Sequence, residues 1–188
     1  ENMNRNLLEK GFIPEEICIN LPNGFEDVEE ISSSLHKILA NNQISNVVNE
    51  IDQEKDISSL STSQLERAML LYSYIGHAYM WGKEDIDDII PKNIAITWHK
   101  VSEKLQRPPI LSYASYALNN WSLLDESKPL TVENIKILQN FLSGVDEDWF
   151  IMIHVAIEHE AKNILGSLKK YFLDKDTEKG NLEDALVS

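Results

Sequence analysis

Pro108 and Pro109 forbid one continuous helix through the middle of a chain that otherwise reads as little but helix. Each proline fixes its own φ, lacks an N–H donor and pushes the residue before it out of the helical region. The pattern that runs up to Leu105 is therefore cut at Arg107-Pro108-Pro109. Beyond the cut, Leu111, Ala114, Leu118 and Trp121 recur at helical spacing, and Tyr113, Tyr116 and Ala117 form a second, partly apolar stripe beside them. A helix that is apolar on nearly all sides is buried on nearly all sides. The spacing thus predicts a central packing helix whose tyrosine hydroxyls need partners.

The rest of the chain gives an all-α expectation. Val28, Ile31, Leu35, Ile38 and Leu39 predict a helix over 25–40, and Ile44, Val47, Val48 and Ile51 a short one after it. Ser63 with Glu66 reads as a capping box that opens a long apolar helix through Leu65, Ala68, Met69, Tyr72, Ile75 and Ala78 towards Trp81. Another helix is expected over 94–105. Thr131 reads as the cap of a helix that turns Ile135, Leu138 and Phe141 inward, broken at Ser143-Gly144. Asp146 then opens a long helix through Trp149, Phe150, Ile153, Ile157, Ile164 and Leu168 to Phe172. Residues 17–21 are the one strand candidate. After a polar stretch at 174–180, an amphipathic pattern with Leu182, Leu186 and Val187 stops soon after it starts. An apolar face needs a partner, so the expectation is that the chain is a piece of something longer.

Composition narrows the classes. At 188 residues and 43% hydrophobic, the chain can build a core, and its single Cys18 excludes an internal disulfide framework. The formal charge of -14 argues against a nucleic-acid backbone or an anionic membrane as partner. No secretory leader and no apolar run of membrane-spanning length is present, so an intracellular, cytoplasmic location is expected.

Residues 149–160, WFIMIHVAIEHE, hold the densest chemistry. His154 and Glu158 are four apart, on one helix face. The spacing matches neither zinc-protease pattern, because the two histidines fall on different faces. The paired Glu-x-x-His motifs of a di-iron bundle are lacking too. His154, among Phe150, Ile151, Ile153 and Val155, reads either as a core histidine bonded to Glu158 or to a backbone carbonyl, or as a polar group in an apolar pocket. His77 reads as a buried structural histidine, His36 and His99 as surface or boundary residues, and Cys18 lacks the setting of a haem thiolate.

Several segments together resemble the indoleamine 2,3-dioxygenase family. They are GFIPEE (11–16), HAYMWG (77–82), IPKNIA (90–95), RPPILSYASYALNNW (107–121), KPLTVENIKILQNF (128–141) and WFIMIHVAIE (149–158), in the family's order. The resemblance implies a haem b enzyme that opens the indole 2,3-bond of L-tryptophan with O2 to give N-formylkynurenine. Residues 1–142 would be the smaller N-terminal helical domain that roofs the haem pocket. Residues 143–188 would begin the larger haem-binding domain. His154 matches the position that faces oxygen and substrate, with serine in some members and histidine in others. Phe150 matches a phenylalanine that packs on the indole, and Ile151 replaces a second aromatic. Tyr113 matches a pocket-wall tyrosine, and Tyr116 and Ala117 match positions at the deep end of the pocket. For these residues core packing stays open as the other reading. The family's proximal histidine, its substrate-carboxylate arginine and its glycine-rich loop lie in a C-terminal half that this sequence lacks. The resemblance therefore implies one wall of a site, inactive without that half as the same or a second chain. Two other readings remain: a haem-free helical module that binds a protein partner, and a haem oxygenase of the same superfamily acting on another indole.

Overall fold

A computed structural model describes residues 11–52, 54–83 and 88–173, with side chains described as far as Leu168. The helical expectation holds, with six α-helices among the described residues. They are α1 (Glu26–Ser33), α2 (Leu35–Ala40), α3 (Ile44–Val48), α4 (Thr62–Trp81), α5 (Lys92–Leu105) and α6 (Val145–Leu173). The pattern proposed to begin at Asn181 lies outside the described residues. No helix among them is long and apolar enough to cross a membrane.

The centre is α4. Its residues from Ala68 to Ile75 are all buried, and α1, α3 and α5 pack around it, with Phe25, Val28, Ile44, Ile94, Trp98, Val101 and Leu35 of α2 in the same core. Gly76 lets α5 approach closely, because a Cβ there would lie 2.6 Å from Cζ3 of Trp98. Charged groups in this core are paired. Arg67 bonds Glu29 at 2.7 Å, and Lys55 bonds both Asp27 and Asp52 at 2.8 Å. Arg107 reaches back to Glu66 on α4.

Several boundaries differ from the sequence reading. The capping box on α4 is Ser61 with Gln64, not Ser63 with Glu66: Gln64 N donates to Ser61 Oγ at 3.3 Å, and Ser61 N donates to Gln64 Oε1 at 2.9 Å. Glu66 is instead committed to Arg107. The helix expected over 25–40 breaks at Ser34, whose N–H is shared between Glu30 O and Ile31 O. Residues 17–21 form no strand.

The largest departures follow the two prolines. α5 ends at a left-handed Gln106, φ 53°, with Arg107 N bonded to Ser102 O at 3.0 Å. The expected central helix is a single π-turn, Ala114–Leu118, closed by Asn119 N on Ala114 O at 3.0 Å. The chain then extends as β1 (Trp121–Leu123), antiparallel to β2 (Ile135–Ile137) with Trp121 opposite Ile137. The helix expected after Thr131 is one 3₁₀ turn, Val132–Asn134, running into β2, and Thr131 makes no side-chain cap.

Two buried asparagines explain both departures. Asn120 donates to Tyr116 O at 3.1 Å, Tyr74 Oη at 3.2 Å and Gln139 O at 2.7 Å, and accepts from Gln139 N at 2.8 Å. Asn134 donates to Asp125 O and Pro129 O at 3.0 Å and accepts from Asp125 N at 3.0 Å. Such side-chain bonds offer the backbone an alternative to the helical ladder. The strand pair and the π-turn carry Ala117, Trp121 and Ile135, and α6 packs Ile151 and Val155 on them to complete a second core.

Candidate functional site

α6 has two apolar faces. Its inner face buries Ile151 and Val155 completely, on the strand pair. Its outer face carries Phe150, His154, Ile157, Ala161 and Ile164, spaced four, three, four and three residues apart and so aligned along the helix. Phe150 is 50% exposed, Ile157 57% and Ile164 42%, with Trp149 at 54% beside them. Large apolar side chains aligned in this way are uncommon on the free surface of a soluble fold and mark a binding face. His154 stands among them as the polar member.

The imidazole is held on several sides. Its Nδ1 lies 2.6 Å from Phe150 O, one turn back on the same helix. A carbonyl only accepts, so this bond places a proton on Nδ1, and in the neutral imidazole Nε2 is then the acceptor. The Phe150 ring lies against it at 4.2 Å between centroids, and Tyr113 meets it edge-on at 5.8 Å and 74°. Of the two core partners foreseen for His154, the backbone carbonyl is the one found, and Glu158 goes elsewhere. Its Oε1 accepts from the Tyr113 hydroxyl at 3.0 Å, tying the π-turn segment to α6. Desolvation, that hydrogen bond and the carboxylate's charge, in this order, push the Tyr113 phenol up to about 12.

The residues singled out from sequence fall into two groups. Tyr113, Phe150 and His154 come together on the outer face, and Tyr116 lies behind them, with Phe150 at 6.0 Å and Tyr74 stacked at 6.0 Å and 9°. Desolvation first, then Glu147 and Asp148, raise the Tyr116 phenol above its ordinary value. Ala117 and Ile151 are fully buried in the second core, so they support the wall from behind and do not reach its surface. Sequence reasoning missed the role of Glu158 towards Tyr113. The i, i+4 spacing pointed to His154, and a contact across 45 residues leaves no local signal. His77 is partly buried near the end of α4, with Nδ1 on Ser73 O at 2.8 Å.

Tyr113 and the outer face of α6 share one surface. It offers flat aromatic rings, aliphatic side chains and one fixed acceptor. Among the described residues, no three His, Cys, Asp or Glu side chains gather to hold a metal ion.

Comparison with known proteins identifies the family. The profile of the indoleamine 2,3-dioxygenase family matches residues 7–187. Indoleamine 2,3-dioxygenase 1 of Rattus norvegicus is 32% identical over 164 residues, covering 82% of this chain and 40% of the relative. Indoleamine 2,3-dioxygenase of Saccharomyces cerevisiae is 31% identical over 138 residues, covering 69% of this chain and 30% of its own length. Indoleamine 2,3-dioxygenase 2 of Homo sapiens is 25% identical over 155 residues, with 81% and 38% covered. The chain thus spans well under half the length of these relatives. With the family's profile matched over residues 7–187, nearly its entire length, the chain belongs to the indoleamine 2,3-dioxygenase family.

Proposed function

We propose that this chain forms the substrate-side wall of a haem-dependent dioxygenase that cleaves the indole 2,3-bond of L-tryptophan with O2 to give N-formylkynurenine. The observation that carries the reading is the outer face of α6, an exposed apolar stripe with one histidine whose free nitrogen is an acceptor. Haem b, when bound, supplies the activation of molecular oxygen. Both oxygen atoms enter the product, so no other oxidant is consumed. Residues 1–142 would be the small roofing domain and 143–188 the beginning of the large one. The iron's proximal histidine would come from the C-terminal half of the enzyme, as the same or a second chain.

The chain's own groups bind and orient. Phe150 and Tyr113 present flat surface to an aromatic ring. His154 Nε2 accepts the indole N–H, which fixes which edge of the ring faces the reaction. Tyr116, Ala117 and Ile151 form the support behind this wall and keep water out of it. Covering the outer face of α6 would dry the pocket and strengthen the histidine contact.

The test is product formation. An assembly of this chain with the haem-anchoring half, given reductant, O2 and L-tryptophan, should form N-formylkynurenine at one equivalent per O2 consumed. Stoichiometric haem without any indole cleavage would reject the reading. A haem oxygenase acting on another indole would cleave that indole and leave tryptophan intact. A haem-free interaction module would take up no haem in any assembly.

A further inference from the structure

Resting on the substrate-wall reading, the geometry points to Glu158 as a positioning residue: through Tyr113 it clamps His154 with Nε2 outward, and so makes the wall select aromatic rings that carry an N–H over their N-methylated counterparts. Four contacts carry this. Glu158 Oε1 accepts from the Tyr113 hydroxyl at 3.0 Å. The Tyr113 ring sets its edge on His154 at 5.8 Å and 74°. Phe150 covers the imidazole from another side at 4.2 Å. Nδ1 is spent on Phe150 O at 2.6 Å.

An imidazole is ambidextrous, since either nitrogen can carry the proton. Only a ring that cannot turn offers a single acceptor. Phe150 and the carbonyl belong to the same helix as His154 and set its resting pose. Tyr113 comes from another segment and is 44% exposed, so its ring needs an anchor to stay against the imidazole. Its hydroxyl is anchored on Glu158. Without that anchor Tyr113 swings out, the imidazole turns away from Phe150 O, and the wall presents a donor as readily as an acceptor. A donor has nothing to gain from an indole N–H, and the preference against the methylated ring disappears.

The test uses the purified chain and its Glu158→Ala, Glu158→Gln and Tyr113→Phe variants. Nitrogen NMR of labelled histidine reads the tautomer of His154, and ring-proton shifts of Phe150 read the binding of indole and 1-methylindole. In the unaltered chain His154 should be protonated at Nδ1 alone, and indole should bind about tenfold more tightly than 1-methylindole, the worth of one hydrogen bond. Glu158→Ala and Tyr113→Phe should mix the tautomers and bring the two affinities within about twofold of each other, on the same scale. Glu158→Gln keeps an acceptor for the tyrosine hydroxyl and should restore much of both. Unchanged Trp121 resonances report that the second core is intact. A single Nδ1-protonated form and an undiminished preference in Glu158→Ala and Tyr113→Phe would overturn the clamp. Mixed tautomers in the variants with neither ring binding to any form would support the clamp and reject the substrate wall.

Discussion

Between Phe150 and Tyr113, His154 has one nitrogen committed and the other open, and this asymmetry is the most specific chemical statement the chain makes. Tyr113 adds a titration to it. Its folded-state value of about 12 lies above the ordinary 10.0, because a phenolate would stand desolvated beside the Glu158 carboxylate. A raised folded-state value stabilises the fold fully below the unfolded value and loses that contribution as pH rises through the folded one. Alkaline denaturation should therefore steepen above pH 10, and Tyr113→Phe should lessen the slope up to about pH 12 without removing it, because burial raises the Tyr72, Tyr74 and Tyr116 phenols as well. An identical slope in Tyr113→Phe would show that Tyr113 contributes nothing to it. Gly76 makes a second residue-scale case. An added methyl would sit 2.6 Å from a ring carbon of Trp98, which is only 3% exposed. Gly76→Ala should cost about 1–3 kcal/mol in urea unfolding through overpacking, although alanine is the better helix former.

At the scale of elements, legibility followed the reach of the forces involved. α4, α5 and α6 were readable because their apolar period is local and their ends carry caps, breaks or prolines. The segment between Pro109 and Gly144 was misread as two helices. Its apolar spacing suits a helix, but Asn120 and Asn134 spend their side chains on distant backbone and hold the chain as a π-turn and two short strands. Spacing does not distinguish an asparagine facing solvent from one that organises a buried junction. Asn120→Ala should leave the Gln139 amide and the Tyr74 hydroxyl unmatched and cost about 2–4 kcal/mol, measured by urea unfolding. A cost below about half a kcal/mol, the range of an ordinary surface change, would show that the junction is not holding the strand pair. The candidate site was legible as a neighbourhood only. Residue identities singled out 113–117 and 150–154, which the fold brings together, but only packing separates the outer group, Tyr113, Phe150 and His154, from Ala117 and Ile151 in the second core.

At the scale of the whole molecule, α6 joins a finished interior to an open wall. Ile151 and Val155 seal it to the strand pair, while Phe150, Ile157 and Ile164 look outward. The two faces should respond oppositely to substitution. Ile151→Ala should destabilise the isolated chain by about 2–4 kcal/mol. Ile157→Lys should leave its unfolding midpoint nearly unchanged and, on the proposed reading, weaken association with the haem-anchoring half. The measurement that reaches the central claim most directly is steady-state kinetics with haem quantification on the active assembly, with and without His154→Ala. The account predicts full haem content, unaltered absorption of the resting haem, and kcat/KM for L-tryptophan lowered about tenfold or more, the loss of one positioning hydrogen bond in a dry pocket. Loss of haem with unchanged turnover per remaining haem would make His154 an anchor of the cofactor and contradict its place on the substrate wall.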